Sequence, residues 1–151
     1  MQRINFSITI NAPKEKVWHL MLDDATYRQW TSAFAEGSYA VTDWNEGSKA
    51  LFLTPAGDGM VSTIVAHRPN DTLSIKHLGV VKNGVEDTTS EELKGWSGAL
   101  ETYTIREAEG ASVLTVEMDV TDEYKSYFEE TWPKALSKLK DLAESQAAAS
   151  H

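Results

Sequence analysis

Apolar and polar residues alternate from the start of the chain. Ile4, Phe6, Ile8 and Ile10 share one side of an extended segment, with Arg3, Asn5, Ser7 and Thr9 on the other. At Asn11-Ala12-Pro13 the period changes to that of a helix. Pro13 suits the first helical position, Asn11 or Ala12 the cap, and Glu15 falls in the first turn, where a carboxylate favours the helix dipole. Val17, Trp18, Leu20 and Met21 form the buried side of this short helix. Asp23 and Asp24 end it and can cap a second one through Tyr27 to Trp30. From Gly37 the pattern becomes strands and turns. Segments 38–44, 49–54, 60–67 and 72–80 are separated by Asn45-Glu46-Gly47, by Pro55-Ala56-Gly57-Asp58-Gly59 and by Pro69-Asn70-Asp71. Each turn has the Gly, Pro, Asn or Asp that a reversing backbone requires, and connections this short join neighbours in an antiparallel meander.

Residues 81–94 break the rhythm. They hold Asn83-Gly84, then Glu86, Asp87, Glu91 and Glu92, and are read as a long polar connection with room for one helical turn. Such a loop is either a solvated face or a lid over whatever the sheet encloses. Strands resume over 96–106 and 112–120. From Asp122 to Ser145 apolar residues recur at intervals of three and four: Tyr124, Phe128, Trp132, Ala135, Leu136, Leu139 and Leu142, flanked by Tyr127 and Ala143. That stripe predicts one long amphipathic helix capped by Thr121 and Asp122, bent or split at Pro133. Residues 146–151 are expected to form a disordered tail, and 1–145 a single domain.

Composition narrows the function classes. The 151 residues include 14 basic and 23 acidic side chains, a net charge of −9 that disfavours nucleic acid and anionic membrane surfaces. Without cysteine there is no disulfide framework, thiolate metal site or thiol nucleophile. The first residues read as a strand and not as an export signal, and no apolar run is long enough to span a bilayer, so a cytoplasmic protein without membrane insertion is expected. His19, His67, His77 and His151 have no metal-ligand spacing, no serine sits in a nucleophile-elbow sequence, and Gly57-Asp58-Gly59 lacks the context of a phosphate loop. Neither metal nor cofactor is implied.

Strand, two short helices, meander and long helix define the order of a helix-grip fold. The chain resembles the START-like superfamily, also called SRPBCC, and within it the activator of heat-shock-protein-90 ATPase homologue group. The residues that carry the resemblance begin with Ile10-Asn11-Ala12-Pro13-Lys14-Glu15-Lys16-Val17-Trp18, similar to an opening I-x-A-P-x-x-x-V-W. Gln29-Trp30-Thr31, Asp43-Trp44-Asn45-Glu46-Gly47-Ser48, Gly95-Trp96 and Glu101-Thr102-Tyr103 follow in order, and Trp132-Pro133-Lys134-Ala135-Leu136 with Leu139-Lys140 resembles the family's end. The resemblance implies an α+β fold in which a curved antiparallel sheet of six to seven strands wraps a long C-terminal helix. It also implies a deep apolar cavity between them. Relatives hold lipids, sterols, hormones or polyketides there, and some catalyse cyclisation or dehydration. The eukaryotic activators carry a separate N-terminal domain for which this chain has no room, which weighs against a co-chaperone role.

Pockets are lined mainly by aromatic and aliphatic side chains with a few polar anchors. On that basis Trp30, Phe34, Phe128 and Trp132 are the first candidate contacts, with Phe52 and Met60 on the meander, while Trp18 is read as structural. By the two-residue period Leu73, Ile75 and His77 share a face, as do Ala99, Glu101, Tyr103 and Ile105. If the apolar members face inward, His77, Glu101 and Tyr103 go with them. The alternative buries Trp96, Leu100 and Thr102 instead. An inward carboxylate needs a partner or a purpose. It serves a structural network, a polar anchor for a ligand, or acid/base chemistry with His77. Three functions remain open: binding of a small apolar or amphipathic molecule, a cyclase- or dehydratase-like pocket enzyme, and a stress-response or chaperone-associated interaction domain. An edge strand leaves room for a homodimer.

Overall fold

In the computed structural model, residues 2–93, 95 and 97–149 are described. Strand β1 (Gln2–Ile10) leads into helices α1 (Lys14–Leu22) and α2 (Asp24–Trp30) and a single 3-10 turn, Thr31–Ala33. Then come β2 (Tyr39–Val41), β3 (Lys49–Leu53), β4 (Gly59–Arg68), β5 (Thr72–Lys82), β6 (Val85–Asp87), a 3-10 turn at Glu91–Leu93, β7 (Leu100–Ala108), β8 (Ala111–Val120) and helix α3 (Asp122–Ala149). The strands form one 8-stranded sheet in the order β1-β8-β7-β5-β4-β3-β2, with β6 paired to the far end of β5. All pairings are antiparallel. This is the helix-grip arrangement.

The eighth strand is a correction to the long-loop reading of 81–94. Asn83 and Gly84 both have positive φ, 51° and 80°, the signature of a two-residue hairpin turn, so Val85 folds back opposite Lys82. Strand β2 is shorter than the expected 38–44. The Thr42 hydroxyl accepts from the Trp44 amide at 3.1 Å and Asp43 Oδ1 from the Asn45 amide at 2.8 Å, so local side-chain bonds take the place of sheet pairing. The Ser48 and Asn45 hydrogen bonds hold the Asp43 carboxyl below its ordinary value.

The helix caps also differ from expectation. Pro13 is itself the N-cap of α1, its carbonyl accepting from the Lys16 and Val17 amides, both at 3.1 Å. Asp23 occupies the N-cap of α2 without a side-chain bond. The Thr121 hydroxyl is buried with no hydrogen-bond partner, so the side-chain cap expected for α3 is not made. Helix α3 is neither split at Pro133 nor ended at Ser145. Pro133 and Glu129, whose carbonyl loses its helical donor to the proline, both lie on the exposed side, where water can serve instead. Beyond Ser145 the helix runs to Ala149, which corrects part of the expected tail; Ser150 and His151 lie outside the described residues.

Two registers bring the core together. Leu73 and Ile75 of β5, Tyr103 and Ile105 of β7, and Leu114 and Val116 of β8 are buried on the concave face, beneath Trp132, Ala135, Leu136, Leu139 and Ala143 of α3. Glu101, Tyr103 and Ile105 therefore do face inward; Trp96 of the alternative register lies outside the described residues. The C-terminal half of α3 is tied to the start of the fold: Glu144 accepts from the Asn11 amide at 2.9 Å and Lys140 donates to the Thr9 carbonyl at 3.2 Å. No helix among the described residues is long and apolar enough to cross a membrane.

Candidate ligand cavity

Packing fails where α3 begins. In its first turns Tyr124 and Tyr127, expected to pack on the sheet, are 51% and 43% exposed. Beneath them is a cavity of about 270 Å³ between α3, α2 and the concave face of the sheet. Trp30, Phe34, Phe128 and Trp132 line its helical side. Phe52, Met60, His77, Glu101 and Tyr103 line its sheet side. The candidate contacts are thus brought together around one space. None of the described residues of 81–94 borders it.

The aromatic side chains form a continuous network. Trp132 is in edge contact with Phe34 at 4.8 Å and with Tyr103 at 6.0 Å between ring centroids, and lies 6.2 Å from Trp30. Its indole N–H donates to the Met118 sulfur at 2.8 Å, and the Trp30 indole donates to the Met21 carbonyl at 3.1 Å. Both rings therefore offer a ligand only their apolar surfaces. Trp18 is structural, its indole donating to His67 Nε2 at 3.1 Å, away from the cavity.

A polar chain forms the floor. Ser62 lies opposite His77 in the β4–β5 register, next to a bulge at which Leu78 of β5 is the extra residue. Its hydroxyl lies 2.7 Å from His77 Nδ1, and His77 Nε2 lies 3.2 Å from Glu101 Oε1. The Tyr103 hydroxyl donates to the other oxygen, Glu101 Oε2. Ser62 makes no other side-chain hydrogen bond among the described residues. All three contacts are met together when Ser62 donates to Nδ1, Nε2–H donates to Oε1, and Glu101 is a carboxylate accepting from both neighbours. Burial first, and then the Glu101 charge and hydrogen bond, push the Tyr103 hydroxyl well above the ordinary tyrosine value; burial and the same charge raise Tyr27. Asp119 borders the cavity from β8. Burial raises its carboxyl, but hydrogen bonds from Arg3 and the Leu100 amide, both 3.0 Å, and the Arg3 charge bring it below the ordinary range.

Sequence reasoning missed Tyr27, Tyr39, Met118 and Ser62. Tyr27 was placed on α2 without a role, although its position three before Trp30 puts both on one helix face. Ser62 carried no signal, because its place beside His77 depends on a bulge. No cluster of metal-binding side chains occurs among the described residues.

The chain belongs to the polyketide cyclase / dehydrase and lipid transport family, whose model matches residues 1–144. Among solved structures it is similar to MLL2253 from Mesorhizobium loti, with 16% identity, 93% of this chain and 96% of that one covered, and a TM-score of 0.72. It is also similar to the Aha1 dimer from Colwellia psychrerythraea, with 19% identity, 95% and 97% covered, and a TM-score of 0.70. CalU16 from Micromonospora echinospora gives 16% identity, 93% and 73% covered, and a TM-score of 0.65. At these identities the structural likeness shows the fold. No curated protein matches the sequence at a significant level.

Proposed function

We propose that the protein binds a small apolar or amphipathic molecule between the sheet and the start of α3. The observation that carries this reading is the aromatic cavity of about 270 Å³ with the His77–Glu101–Tyr103 hydrogen-bond chain on its floor. That volume is just below the roughly 300–1,000 Å³ typical of ligand pockets, which suits a single ring system or a short chain better than a two-tailed lipid. The family's description, which includes lipid transport, supports the same reading. Native mass spectrometry of the protein as purified tests it, reporting subunit number alongside. A retained small molecule, or one-to-one uptake of an apolar dye weakened by Met60→Trp, is expected; an empty protein that takes up no dye overturns the reading.

The His77–Glu101 contact on the cavity floor favours a second reading, an acid/base enzyme of the cyclase or dehydratase type. Both groups border open volume, so a substrate atom placed there is in reach of each. Glu101→Gln with turnover intact on an identified substrate would end this reading.

A further inference from the structure

We infer that the cavity selects a ligand with a cationic head, an amine or quaternary ammonium group on an apolar body, and excludes carboxylates and phosphates. This rests on the cavity being a ligand site. The first ground is charge. Glu101 and Asp119 border the space, and no lysine or arginine is among its described lining residues. Arg3 and Arg28 touch lining residues from outside, Arg3 bonding Asp119 and Arg28 lying over the Tyr39 ring, and carboxylates engage both: Asp119 for Arg3, Asp24 for Arg28.

The second ground is the hydrogen-bond chain. Asp119 has the Arg3 guanidinium beside it; Glu101 has the His77 imidazole and the Tyr103 hydroxyl instead. Glu101 Oε1 lies 3.2 Å from His77 Nε2, and Oε2 accepts from the Tyr103 hydroxyl, whose proton is held in place by burial. Among the described residues no lysine or arginine forms an ion pair with Glu101, whose side chain is 13% exposed. A cation entering the cavity offsets the Glu101 charge, whereas an anion adds a like charge at short range.

Ring placement is the third ground. Phe52 lies edge-on to His77 with centroids 6.1 Å apart, Tyr27 is 6.5 Å from Phe52, and Tyr103 is 6.0 Å from Trp132. Aromatic rings around a carboxylate present the surface that holds an ammonium group by its attraction to ring faces. The net charge of −9 draws cations toward the molecule as a whole.

Matched probes test the inference: octyltrimethylammonium, octanol and octanoate, titrated calorimetrically into the intact protein below micelle-forming concentrations. The ammonium is expected to bind roughly tenfold or more tighter than octanoate, with octanol between them. In Glu101→Gln the ammonium should fall to the level of octanol while octanol is held. Octanoate binding as well as or better than the ammonium overturns the inference and leaves the ligand site standing. If no probe binds, the ligand-site reading falls and the inference with it. The ranking on the unaltered protein decides the matter even if Glu101→Gln does not fold.

Discussion

Trp132→Ala removes the ring that joins the core to the cavity. The side chain is 2% exposed and borders Phe6, Trp30, Phe34 and Tyr103 at centroid separations of 6.2, 6.2, 4.8 and 6.0 Å. Truncating a buried tryptophan costs about 3–5 kcal/mol, the lost transfer energy plus the void left behind. Part of this void merges with space that is already open, so the surroundings lose fewer contacts than at a sealed site. We expect about 3 kcal/mol, the low end of that range. Leu139→Ala is the control, fully buried under α3 and away from the cavity. Urea unfolding followed by far-UV circular dichroism reads both variants without depending on tryptophan emission. Apolar-dye affinity should change in Trp132→Ala and hold in Leu139→Ala. A loss below about 1 kcal/mol would show that the ring is not packed. A full loss with unchanged dye affinity would show that it does not line the binding space.

Three further outcomes follow from the same geometry. Tyr27 and Tyr103 hold their protons more tightly folded than unfolded, so stability from them is complete below the ordinary value of 10.0 and declines as pH rises beyond it. Spectrophotometric titration should show these two tyrosines ionising only as the protein unfolds; early titration of all tyrosines would refute their burial. Asp119 is depressed, so its contribution is present above the ordinary 3.8 and is lost as pH falls, and Asp119→Asn should flatten the acid limb of the stability curve. Ser62→Ala leaves His77 Nδ1 without its 2.7 Å partner and should cost about 1–3 kcal/mol in chemical denaturation; a neutral effect would mean that the serine does not orient the imidazole.

How much of this was legible in the sequence depends on the kind of signal. Strand β1 and the α3 stripe were readable because burial follows period: Ile4, Phe6 and Ile8 are more buried than Asn5, Ser7 and Thr9, and Leu136, Leu139 and Ala143 recur on the core side. Strand β6 was missed because Val85-Glu86-Asp87 is too short to show a period, although Asn83-Gly84 announced its turn. Tyr124 and Tyr127 sit on the predicted stripe yet stand over open space, because periodicity says which face a residue occupies but not whether anything lies beneath it. The inward face of β7 was legible from Ala99, Tyr103 and Ile105, and it placed Glu101 correctly. Ser62, brought opposite His77 by a register shift at which Leu78 of β5 is left unpaired, was beyond reach.

The account stands on open space under the first turns of α3, and two indoles can report on it. In a proton–nitrogen NMR titration with octanol, the Trp30 and Trp132 indole signals border the cavity while that of Trp18 is fixed to His67 outside it. The account predicts saturable shifts at Trp30 and Trp132 together with the amides of Phe34, Phe52 and Phe128, and a still signal from Trp18. Shifts scattered over the surface, or none at those residues, would contradict it.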